Sequence, residues 1–124
     1  MAQTLILAAL LAAQSAAPAV QADARTDQVD VGYSELAAGQ PQAAIERIQA
    51  NRAVDANDPA ALINLGAAHA RMGSIADARA FLAAAIASPD RYDLQLADGR
   101  WMDSRRAARL AMSQLQEGRT LAVR

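Results

Sequence analysis

The sequence predicts an all-α fold: helix–turn–helix units stacked in series, followed by a short segment that suits a small β-hairpin and by a C-terminal capping helix. Three observations carry this expectation. Hydrophobic residues make up 53% of the 124 residues but aromatics only 3%. The core must therefore be Ala and Leu, which lets helix backbones approach closely, whereas strands favour β-branched and aromatic side chains. Apolar residues recur at helical rather than alternating spacing through the middle of the chain. Finally, the chain matches itself at a shift of 34 residues.

The first segment, residues 1–22, carries no charged side chain. Leu5, Ile6, Leu7, Leu10 and Leu11 with the alanines between and after them form an apolar run over 5–13. Such a run has the length of a signal-peptide apolar region and is too short to span a bilayer. Small-residue cleavage sites follow at Ala17-Pro18-Ala19 and Val20-Gln21-Ala22. The expectation is a signal peptide cut after Ala22 or Ala19, and a periplasmic or secreted protein with no membrane insertion after cleavage. No Lys or Arg precedes the run, and the alternative reading is a buried N-terminal helix.

Residues 23–92 hold the internal repeat. Sliding 25–58 onto 59–92 places Gly32 on Gly66, Gly39 on Gly73, Ala44 on Ala78, Ala50 on Ala84 and Ala53 on Ala87. Val29 meets Ile63, Val31 meets Leu65, Ile48 meets Leu82 and Asp30 meets Asn64. The spacing predicts a helix from about Thr26 to Ala38, ended by Gly39, and a second from Pro41 to about Val54. In the second unit Asp58 is an N-cap and Pro59 sits at the first helical position, where its missing N–H costs nothing. Leu62, Leu65, Ala68 and Met72 carry that helix to Gly73, which suits a left-handed cap. Ser74 and Asp77 form a short capping-box variant that opens a helix over Ile75 to Ala87, and Pro89 stops it.

Leu62, Leu65, Gly66, Ala78, Leu82 and Ala85, with Val31, Gly32, Ala44 and Ile48, stand at the small and large positions by which this pattern resembles the tetratricopeptide repeat family. The linker Val54-Asp55-Ala56-Asn57-Asp58-Pro59 is similar to that family's junction between repeats. The resemblance implies antiparallel helix pairs whose first helices line a concave groove for extended peptides or partner helices. The positions that match the groove are Asp30, Tyr33, Ala37, Asn64, Ala67 and Arg71. Asn64 falls where a subset of the family clamps a C-terminal carboxylate, with Val29 and Tyr33 in place of that subset's Lys and Asn.

Residues 93–102 alternate Leu94 and Leu96 with polar side chains, and Asp98-Gly99 is a hairpin-turn dipeptide. Two readings stand: a structured linker, or a hairpin packed on the helices through Leu94, Leu96 and Trp101. A hairpin alone is marginal, and an exposed edge or Trp101 would then offer a partner an anchor. Residues 103–124 form the cap. Asp103 or Ser104 opens a helix over about Arg105 to Glu117, with Ala107, Leu110, Ala111 and Leu115 on one face and Gly118 as the stop.

Charge and chemistry narrow the function. The net charge is −1, with 12 basic residues, all Arg, so no bulk charge calls for nucleic acid. The Arg residues crowd the last quarter. Arg105, Arg106 and Arg109 with Trp101 are either a solvated face or a secondary docking contact. The chain has no Cys and a single His, so thiol chemistry, disulfides and ordinary His/Cys metal sites are excluded. No Ser has a His–Asp partner set or a nucleophile-elbow context, and the glycines are too scattered for a phosphate loop. The expectation is no catalytic residue, no cofactor and no metal. What remains is a protein or peptide binder, an adaptor or scaffold. The alternatives are a self-assembling subunit or homodimer pairing through its open repeat end, and an accessory factor of a periplasmic enzyme.

Overall fold

The structure, a computed structural model, describes residues 31–124. The expected signal segment 1–22, the start of the first expected helix and Asp30 lie outside the described residues. Within them the chain is mostly helical with one two-stranded sheet: α1 Tyr33–Ala37, α2 Pro41–Ala50, α3 Pro59–Arg71, α4 Ile75–Ala87, β1 Asp93–Gln95, β2 Trp101–Asp103 and α5 Ser104–Gln116.

Local chemistry explains most of the boundaries. The Asp58 carboxylate accepts from the Ala61 N–H at 2.9 Å, and Pro59 follows it as the first helical residue. Asp103 does the same for α5, accepting from the Arg106 N–H at 3.1 Å. At Gly118 (φ 72°) the chain reverses through paired bonds, Gly118 N–H to Leu115 C=O and Arg119 N–H to Gln114 C=O. That pair is the signature of a left-handed helix end, and it aims residues 119–124 back along the molecule.

Three expected local details are corrected. The first helix does not run through Thr26–Ala38: Gly32 has φ 74° and the helix begins at Tyr33. A Cβ at Gly32 would lie 3.1 Å from the Ala44 carbonyl and 3.2 Å from the Ile48 methyl, so the chain presses there on α2 and a left-handed residue interrupts any helix. The second helix stops at Ala50 rather than near Val54. Asn51 turns extended at ψ 98°, and its side-chain oxygen takes the Ala53 N–H at 3.0 Å, drawing the chain into a turn. Ser74 precedes α4 without making a side-chain capping bond.

Helix α3 is the centre of the molecule. Ten successive residues, Pro59 to Ala68, are buried, which a helix achieves only when covered on every side. It packs most extensively on α4, then on α2 and α5. Gly66 makes the contact with α4 close, since a Cβ there would meet Leu82 at 2.9 Å. The amphipathic α5 covers α4 and part of α3 with Ala107, Ala108, Ala111 and Leu115, and carries Arg106 and Arg109 outward.

The hairpin pairs Asp93 with Asp103, Leu94 with Met102 and Gln95 with Trp101, antiparallel. Its loop is Ala97-Asp98-Gly99, closed by Leu96 N–H to Arg100 C=O at 2.8 Å, with Gly99 at φ 87°. A three-residue loop ending in a left-handed glycine is a common hairpin solution. Leu94 and Leu96 are buried against the helices, as the hairpin reading has it, but Trp101 is 65% exposed and does not pack the hairpin down. The last described residues add a third strand position: Val123 bridges Leu96, and the Arg124 N–H donates to the Gln95 carbonyl at 2.8 Å.

Candidate functional site

The face of α3 that the sequence marks as a groove is filled by the chain's own residues 120–124. Asn64, expected at the groove surface, has no exposure at all. Its side-chain amide donates to the Val123 carbonyl at 2.8 Å, while its oxygen accepts the Val123 N–H at 2.8 Å. The second amide proton goes to the Val31 carbonyl at 2.8 Å. The side chain thus binds both backbone groups of one residue, as a neighbouring strand would, and leaves no donor unused.

The other groove positions gather on the same segment. The Arg71 guanidinium donates to the Leu36 carbonyl at 2.6 Å and to the Thr120 hydroxyl at 3.1 Å. It therefore ties the closing segment to α1 instead of awaiting a carboxylate. Tyr33 is half-buried, and the Arg124 guanidinium lies 5.2 Å from its ring centroid, within the range of a cation–π contact. That same guanidinium donates to the Ala97 carbonyl at 2.9 Å. Ala67 is buried and shares a small cavity with Ala70, Leu115, Thr120 and Leu121. Ala37 is exposed on α1 and Asp30 lies outside the described residues. Four of the six expected positions therefore converge, but on the chain's own segment 120–124 and not on an open channel.

Sequence reasoning missed this occupying segment. Thr120, Leu121, Val123 and Arg124 stood only as a tail beyond the capping helix. A signal was present: Thr120-Leu121-Ala122-Val123 is a short run with two β-branched residues that begins two positions after the helix-ending Gly118.

A second concavity lies beside the hairpin, lined among others by Val31, Asp58, Ala60, Tyr92, Trp101 and Arg124. The Tyr92 hydroxyl donates to the Asp58 carboxylate, and burial, then this bond, push the phenol above its ordinary range. The secondary contact set does not form one patch. Arg105 turns inward and donates to the Ser88 carbonyl at 3.2 Å, while Trp101 stands on β2. Arg91 pairs with Asp103 at 2.7 Å, which holds that carboxyl below its usual range.

His69 stacks on Phe81 with centroids 5.1 Å apart, a helix–helix contact between α3 and α4. Among the described residues no group of three His, Asp or Glu is placed to hold a metal ion, and no helix is long and apolar enough to cross a membrane. Comparison of the chain with family models, with curated proteins and with solved structures found no match.

Proposed function

We propose that this chain is an exported, non-catalytic interaction module of tetratricopeptide-like build, a periplasmic or secreted adaptor that holds an extended protein segment against α3. The observation that carries the reading is the two-pronged hold of Asn64 on the Val123 backbone. It supports the reading because main-chain bonds hold the segment while the neighbouring side chains of Ala122 and Val123 enter the core. The repeat reading has its own support. Gly32 presses on Ala44 and Ile48, while Gly66 presses on Ala78 and Leu82, and all three pairs of positions are 34 residues apart. Export rests on the apolar run over 5–13 and the small-residue sites after it.

The test is selection of binding peptides from a random library, followed by titration of the selected peptides into the chain and its Arg71→Ala and Asn64→Ala forms. Peptides whose binding is lost in both forms support the groove. Peptides that ignore both substitutions place the binding face elsewhere, and failure to select any peptide contradicts the module.

A further inference from the structure

We infer that residues 120–124 are a tethered copy of the ligand this groove takes, so that a partner segment of the same chemistry must displace them. The inference rests on the groove reading above and adds to it the ligand's chemical class and its control.

The bound segment spells out that class position by position. At 120 a hydroxyl meets the Arg71 guanidinium at 3.1 Å. At 121 a leucine, partly covered, lines the cavity against Ala67 and Leu115. At 122 the residue is small and nearly buried, and at 123 a β-branched side chain is wholly enclosed while Asn64 holds its backbone. At 124 a cation lies over the Tyr33 ring. The ligand is thus an extended protein segment with a hydroxyl residue, a large aliphatic, a small residue, a β-branched aliphatic and an arginine in sequence. The strand edge is part of the site, because the Gln95 carbonyl takes the N–H of the arginine. A single main-chain bridge, Leu96 with Val123, joins the segment to the hairpin.

The attachment suits exchange. Only Glu117, Gly118 and Arg119 link α5 to the bound segment, all three are exposed, and none belongs to a helix or strand. Swinging the segment out breaks the Leu96–Val123 bridge and the Arg124 to Gln95 bond, but no helix and neither strand of the hairpin. A short tether keeps the segment at an effective concentration of about a millimolar. A partner must therefore outbid it, and its apparent affinity falls by the fraction of time the groove stands open.

The experiment uses the full chain and, as probe, a labelled peptide with the sequence of residues 119–124. Val123→Asp places a charge in the enclosed position and ejects the tethered copy while leaving the groove residues intact. The Val123→Asp chain should bind the probe at least about tenfold more tightly than the unaltered chain. Adding Asn64→Ala to that chain should abolish the gain. Equal binding by the two chains overturns the control but leaves the groove standing. A folded Val123→Asp chain that binds no probe overturns both.

Amide exchange of the unaltered chain gives a second reading that does not depend on the variant's folding. The Val123 and Arg124 amides should exchange at least about a hundredfold faster than those of Ile63 and Leu65, reporting local opening. Equal protection would make 120–124 a permanent part of the core and overturn the inference.

Discussion

Replacing Asn64 by Leu removes three hydrogen bonds at 2.8 Å while keeping nearly the same volume. The carbonyls of Val31 and Val123 and the Val123 N–H lose their partner in a place no water reaches. A buried polar group left unsatisfied costs about 1–3 kcal/mol. The full sum is not expected, because loss of the clamp frees residues 120–124 to return the Val123 groups to solvent. The net loss should be about 3–5 kcal/mol. In a domain of this size that lowers the melting temperature by roughly 12 °C or more. Urea titration of both chains, followed by far-UV circular dichroism, reads the difference at unchanged slope. A loss below about 1 kcal/mol would show that the amide is not the clamp described, and would refute the reasoning. Asn64→Asp sharpens the test. Its carboxylate turns an oxygen toward two carbonyls, so this variant should gain stability as pH falls and the acid takes up a proton.

Four further outcomes follow from the packing. Gly66→Ala should destabilise by about 1–2 kcal/mol in thermal denaturation, because a Cβ lies 2.9 Å from a buried Leu82 and the overpacking outweighs the gain in helix propensity. Trp101→Ala removes a side chain that is 65% exposed, and the melting temperature should correspond to a change within about 0.5 kcal/mol. Tyr92→Phe should abolish the late step in an ultraviolet pH titration, since the partly covered phenol bonded to Asp58 ionises above the ordinary value of about 10. The Asp103 carboxyl is held below its usual range by Arg91, so its stabilising effect is present above about pH 4 and is lost as pH falls through the depressed value. Asp103→Asn should flatten that acid limb of the stability–pH curve, and an unchanged limb would contradict the pairing.

The fold was legible where its signals are local. Asp58 with Pro59, and Asp103, write the starts of α3 and α5 into three or four consecutive residues. Gly73 and Gly118 write the ends in the same way. The expectations failed where a distant contact decides. Gly32 takes a left-handed conformation against α2, which no neighbour in sequence announces, and Asn51 spends its side chain on its own turn.

The candidate site was legible by half. The repeat frame brought out Tyr33, Asn64, Ala67 and Arg71, and the structure gathers those four. It did not reveal the occupant, because Val123 meets Asn64 across a separation of 59 residues. No periodicity records such a pairing. The buried polarity of Asn64 is the trace it leaves: an amide in the apolar run from Pro59 to Ala68 needs partners, and a backbone arriving from elsewhere offers a donor and an acceptor together.

The central claim is that the inner face of α3 is a clamp for an extended strand, closed on residues 120–124. Nuclear magnetic resonance of the isotope-labelled chain tests it most directly, through scalar coupling across the hydrogen bond from the Asn64 side-chain nitrogen to the Val123 carbonyl carbon. The account predicts a measurable coupling, together with slowed exchange of the Asn64 amide protons. A freely exchanging Asn64 amide with no coupling to Val123 would contradict it.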